Sequence, residues 1–142
     1  MELSERPMIT VEIFVNQPLA KVWQYWTIPE HIMKWNHASA DWYTPYATND
    51  LQEGGNFNYR MTSKDHKYGF DFNGVYDKIV PLQLISYTLG DGRKVRISFT
   101  EVSGNTKICE YFEPENVNPP EMQKTGWQAI LNNFKLYLES GS

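Results

Sequence analysis

From Asn56 to Phe112 large apolar side chains recur at every second position, a period that an α-helix cannot use and a half-buried sheet requires. Phe57, Tyr59 and Met61 alternate with Asn58, Arg60 and Thr62. After the polar turn SKDHK the pattern resumes in Tyr68, Phe70, Phe72, Gly74 and Tyr76, and it returns in Val95, Ile97 and Phe99 against Lys94, Arg96 and Ser98. Leu82 to Leu89 and Thr106 to Phe112 read as two further strands. Gly90-Asp91-Gly92 and Gly104-Asn105 supply residues that reach positive φ at little cost, so they read as hairpin turns. Five successive strands joined by tight turns predict an antiparallel meander.

The flanks follow other rules. Met8 to Asn16 is rich in β-branched residues between Pro7 and Pro18 and reads as a first strand. Pro18 suits a first helical position, and Leu19, Val22, Trp23 and Trp26 make an amphipathic stripe ending near Ile28. Pro29 opens a second short helix that places Ile28, Ile32 and Trp35 on one side. Asp41 to Gly55 is expected to be a long connection with at most a short strand at Trp42, because Pro45, Asn49, Asp50 and Gly54-Gly55 are breaker signals. After EPENVNPP, Pro120 begins the longest helix, with Met122, Trp127, Ile130, Phe134, Tyr137 and Leu138 as its apolar stripe. The order predicts an α+β fold in which a curved antiparallel sheet wraps around a long C-terminal helix, with two short helices after the first strand.

The chain has 142 residues, so one domain over 1–142 is expected, with an ordered core of about 8–139 and loose polar ends MELSERP and ESGS. Net charge is -4, which argues against nucleic acid as a partner. The acidic start lacks a signal-peptide pattern and no stretch approaches a membrane span, so the expected location is the cytoplasm, without membrane insertion. Cys109 is the single cysteine, which excludes an internal disulfide and a Cys-rich metal site. Monomer and homodimer both remain open.

A sheet curved around one helix leaves space on its concave side. The 21 aromatic rings in a chain of mean hydropathy -0.55 are then explained, since polar residues occupy the outer parity while rings line the inner one. The expected lining comprises Trp35, Trp42, Tyr59, Phe70, Phe72 and Tyr76, with Ile97, Phe99, Glu110, Trp127 and Ile130. Gly126, inside a helix, hints at close approach or at room for a ligand. Glu110 shares inward parity with Ile108 and Phe112, where a carboxylate without a partner would have a raised pKa. Two bland alternatives stand beside this: a bulge exposes it, or Arg60, Arg93 or Arg96 pairs with it.

His31 and His37 lie six apart, the wrong spacing for a helical metal pair, but with Asp41 they could cluster at the cavity mouth. Arg93, Lys94, Arg96 and Lys107 could form an outer basic patch. No nucleophile motif and no phosphate-binding loop are present, so no catalytic residue, metal or cofactor is assigned.

The runs PLAKVWQYWTIPEHIMKW, EGGNFNYRM, FDFNGVYDKIVP, ISYTLGDGRKVRISF and GWQAILNNFKLYLE resemble the family of activator-of-heat-shock-ATPase homologues, in the START-like or SRPBCC superfamily. The resemblance runs from Met8 to Glu139. Its most specific pieces are Phe72-x-Gly74-x-Tyr76 leading to Ile79-x-Pro81, the Asp91-Gly92-Arg93 turn, and Gly126-Trp127 before Ile130-Leu131-x-Asn133-Phe134. One departure is His66 after Asp65, where the family usually has glycine. The resemblance implies a helix-grip fold with a deep apolar cavity. It also implies a binding protein for a small apolar, lipid-like or aromatic molecule. The alternatives are a stress-response module contacting a heat-shock ATPase, and a cyclase- or hydratase-type enzyme. The eukaryotic co-chaperone has an additional N-terminal domain, for which the seven residues before the first strand leave no expected counterpart.

Overall fold

The computed structural model describes residues 8–140. β1 (Ile9–Val15) is followed by α1 (Leu19–Thr27) and α2 (Pro29–Trp35), then by β2 (Trp42–Asn49), β3 (Asn56–Ser63), β4 (Gly69–Val80), β5 (Leu84–Leu89), β6 (Lys94–Val102) and β7 (Asn105–Phe112), and last by α3 (Pro120–Glu139). The strands form one antiparallel sheet in the order β1-β7-β6-β5-β4-β3-β2. β1 and β2 are consecutive strands yet lie at opposite edges. The chain crosses the full width of the sheet through α1 and α2 before the meander returns it, strand by strand, to β1.

Proline sets the helix boundaries. Ile28, between α1 and α2, has φ -84 and ψ 124, the extended geometry that Pro29 imposes on its predecessor. Pro18 caps α1 from outside rather than opening it, and Pro119 stands likewise before Pro120 at the first turn of α3.

β2 is a full strand of eight residues, not the expected connection with a short strand at Trp42. Pro45 is accommodated because β2 is an edge strand with a bulge between Tyr43 and Tyr46, where a missing N–H breaks no ladder bond. A second bulge, between Tyr76 and Lys78, bends β4 and resets its parity, so that Tyr76 and Ile79 both turn toward the core. Gly74 is fixed by packing: a Cβ there would stand 2.9 Å from the Phe57 ring and 2.7 Å from the Thr88 carbonyl.

Three boundaries move by a few residues. Tyr68 precedes β4 and is exposed, Leu82 sits in a turn at φ 68 before β5, and the β6–β7 hairpin turns on Ser103 and Gly104, both at positive φ.

The core lies between the concave face and the helices. Val11, Val15, Val22, Ile32, Ile108, Phe112, Leu131, Phe134 and Leu138 are essentially inaccessible. Each such side chain contributes roughly 1.5–3 kcal/mol relative to exposure. α3 also covers the free edge of β1. Gln128 donates to the Glu12 carbonyl at 3.0 Å, Lys135 to the Phe14 carbonyl at 2.6 Å, and the Asn16 N–H donates to Glu139 at 2.7 Å. The edge is therefore closed to strand pairing. Glu139, expected in a loose tail, is held by this bond; residues 1–7 and 141–142 lie outside the described residues. On α3 the expected inward Met122 is exposed, and the adjacent Gln123 is buried instead. The reason is polar. The Gln123 amide accepts from the Glu115 N–H and donates to the carbonyls of Glu115 and Asn118, tying the preceding loop to the first turn.

Candidate functional site

The inward side chains of β3 to β7 and the first half of α3 line a partly open cavity of about 240 Å³. A cavity of ~150 Å³ in an apolar core is enough to admit benzene. Of the expected lining, Trp35, Tyr59, Phe70, Phe72 and Tyr76 border this space, as do Ile97, Glu110, Trp127 and Ile130. Trp42 and Phe99 do not. Phe99 lies under α1, in edge-to-face contact with Trp23 at 5.2 Å and Trp26 at 5.7 Å, where the short helices close over β6. Trp42 shares the parity of buried Thr44, but at the end of the outermost strand its ring meets Phe70 at 6.1 Å, outside the cavity.

Trp26, Asn36, Met61, Ile85, Tyr87, Arg93, Glu115 and Gln123 complete the lining. Met61, Ile85 and Tyr87 were within reach of the period-two pattern, extended one residue along β3 and applied to β5. Asn36, Arg93, Glu115 and Gln123 carry no such signal, because helix ends and loops bring them there. Gly126 has no neighbouring atom within 4 Å of the position a Cβ would take, so no close approach to another element requires it, and it does not itself border the cavity.

The walls are mostly rings. Trp127 stacks on Phe112 with centroids 3.8 Å apart and meets the edge of Phe72 at 6.0 Å. Phe57, packed on Gly74, touches Tyr59, Phe72, Tyr76 and Tyr87 from behind. Burial raises the hydroxyl pKa of Tyr59 and Tyr87, and that of Tyr76 to about 12. All three tyrosines are therefore neutral at physiological pH. Tyr76 spends its proton on Asn49, donating to Oδ1 at 2.5 Å.

Glu110 is the exception among these walls. It is 6% exposed, and burial pushes its carboxyl up to about 8. No hydrogen bond or ion pair reaches it from the described residues. Arg60 pairs with Asp71, Arg93 with Asp91 at 2.8 Å, and Arg96 lies over the Tyr111 ring, so none of the three arginines neutralises it. The outer lining carries balanced charge, with Arg93 beside Glu115, whose carboxyl is held below its usual range chiefly by the Asn118 N–H.

The remaining polar candidates take other roles. His31 stacks on Tyr25 at 3.8 Å and shares a 2.8 Å hydrogen bond with the Tyr137 hydroxyl. His37 is half-buried with Nδ1 unpartnered, and burial, helped by Lys64, lowers its pKa. Asp41 accepts from Ser39. None of the three borders the cavity, so no cluster forms at its mouth. The expected basic patch is also dispersed: Arg93 turns to the cavity, Lys94 lies 3.9 Å from Asp77, and Lys107 lies 3.4 Å from Glu12. Cys109 faces outward beside Glu12, its thiol pKa raised by partial burial. Among the described residues no three His, Cys, Asp or Glu side chains converge as a metal would need, and no helix is long and apolar enough to cross a membrane.

Residues 16–139 match the family described as Activator of Hsp90 ATPase homolog 1-like protein. Two solution structures are similar over 94% of this chain and 92% of their own. They are an AHSA1-like protein from Aeromonas hydrophila, at 38% identity and TM-score 0.88, and Chr148 from Cytophaga hutchinsonii, at 54% identity and TM-score 0.82. The crystal structure of CV1439 from Chromobacterium violaceum, at 20% identity and TM-score 0.81, shares the fold. No curated protein matches the chain.

Proposed function

The chain belongs to the Activator of Hsp90 ATPase homolog 1-like family, with the SRPBCC or START-like helix-grip fold that generally serves ligand binding, and from that premise we propose that it binds a small apolar or aromatic molecule between its sheet and α3. The observation that carries this reading is the ring-walled cavity itself. A core that serves packing alone closes to crystal-like density, whereas here the rings leave a space of this size beside α3. The rings offer broad contact surfaces, and a few polar groups are available to orient a guest.

Neither alternative function has a comparable observation behind it. A chaperone contact through Arg96 and Lys107 would use side chains already engaged with Tyr111 and Glu12. A hydratase or cyclase would need an acid–base pair, and among the described residues that border the cavity no histidine accompanies Glu110.

The test is a thermal-shift panel of lipids and aromatic metabolites, joined to native mass spectrometry of protein from its own host. At least one compound raises Tm, and Ile130→Trp, which fills the cavity from α3, abolishes the shift while the variant stays folded. Absence of any shift and of any retained mass in the host-purified protein would defeat the reading.

A further inference from the structure

Glu110 sits on β7 between Ile108 and Phe112, both with no exposed surface and both pointing the same way. An apolar side chain at this position would cost nothing. A carboxyl costs free energy unless something hydrogen-bonds to it, and no described residue does. Tyr87, from β5, presents a second cavity-facing polar group. Its hydroxyl likewise receives and makes no hydrogen bond with the described residues, and its pKa is raised in part by Glu110. Two polar groups without partners thus face one apolar space.

We propose that the molecule held in this cavity carries a protonated amine, seated on the Glu110 carboxylate and the Tyr87 hydroxyl with its apolar body against the rings. The proposal rests on the cavity being a binding site. An ammonium brings three donors, enough for both carboxylate oxygens and the tyrosine oxygen. Tyr59, Phe72 and Trp127 also border the space, and a ring face turned to a guest favours a cation over an anion. The resulting N⁺–H···O⁻ bonds are charge-assisted and of the stronger class.

The charged and titratable groups around the site make the inference sharp. Tyr59 on β3, Tyr76 on β4 and Tyr87 on β5 stay neutral below pH 9, Glu115 before α3 stays anionic, and the Arg93 guanidinium in the β5–β6 turn is paired with Asp91. Glu110 alone changes charge between pH 6 and 9. An amine must displace its proton, so amine affinity rises with pH through this window, whereas affinity for a neutral guest does not.

The discriminating experiment is calorimetric titration with 2-phenylethylamine and its neutral isostere 2-phenylethanol. The wild-type protein is expected to bind the amine at least tenfold more tightly than the alcohol at pH 8. Amine affinity should fall about 50-fold from pH 8 to pH 6, the change in the ionised fraction of a carboxyl near pKa 8. In two buffers of different ionisation enthalpy, amine binding at pH 7 should release about 0.9 proton, by the same fraction. Glu110→Gln should remove the amine's advantage and the proton release while the alcohol still binds. Equal binding of amine and alcohol by the wild-type protein would overturn the amine assignment and leave the cavity reading standing. Binding of neither would remove both. The pH profile and proton count are measured on the wild-type protein, so a Glu110→Gln variant that failed to fold would not rescue the proposal.

Discussion

The two halves of α3 meet the same sheet in opposite ways. Toward its C-terminus, Leu131, Phe134 and Leu138 are fully buried, with the Phe134 ring 4.9 Å from both Trp26 and Trp35. Toward its N-terminus, Trp127 and Ile130 are only half-buried, and Gly126 faces open space. The sheet residues differ in kind too. The closed half draws on Val11, Val15 and Ile108, branched side chains that interdigitate; the open half presents Tyr59, Phe72 and Tyr87, flat rings around a void. The closed half supplies rigidity, and the open half leaves room for a guest. Glu110 lies where the two meet.

The sharpest way to break this contrast is truncation. Phe134→Ala should cost about 3–5 kcal/mol in urea unfolding, whereas Phe72→Ala should cost less than about 2 kcal/mol, because its ring is only half-buried beside space that already exists. Equal costs would mean that the open half is packed as the closed half is.

Next in size is a pH effect. Glu110 keeps its proton up to about pH 8 in the folded state but ionises near 4.5 when unfolded, so the folded state binds more protons in between. Stability attributable to this group is therefore lost as pH rises from about 4.5 to 8. The ceiling is roughly 5 kcal/mol, at about 1.4 kcal/mol per pKa unit. Glu110→Gln should flatten that slope in unfolding curves taken at pH 5 and pH 8.5, with the larger gain at pH 8.5. A variant that parallels the wild-type protein at both values would show that the carboxyl is not confined as described.

Two smaller effects mark the open half's rim and helix. His66, in the β3–β4 turn, is held at φ 63, the left-handed region that a glycine would occupy without strain. His66→Gly should raise stability by about 1 kcal/mol. Gly126→Ala should add about 0.5–1 kcal/mol, since the new methyl meets no atom within 4 Å and the helix interior prefers alanine. Destabilisation at Gly126 would mean that the space beside α3 is closed in solution.

Much of the open half was legible in advance. Alternation alone placed Tyr59, Phe72, Tyr76 and Ile97 on one face and turned Glu110 inward with them. The misses share a cause. Trp42 and Phe99 have the inward parity, yet one lies at the sheet's edge and the other beneath α1, and parity gives a side but not a position across the sheet. β2 was hidden by Pro45, which an edge bulge makes harmless. Gln123 displaced Met122 from the interior through hydrogen bonds to a loop that no periodicity describes.

By itself the amino-acid sequence determined every element type but that of β2, the antiparallel meander from β3 to β7, the face on which most of the rings stand and the family resemblance. These follow from local periods, from proline's fixed φ and from turn glycines, all of which act within a few residues. Only the tertiary structure decided that Tyr59, Phe72 and Tyr87 leave a space beside the first half of α3, and that none of the described arginines pairs with Glu110. Whether opposed surfaces touch depends on the bulges in β2 and β4 and on where α3 lies against the sheet, and these sum over residues far apart in the chain.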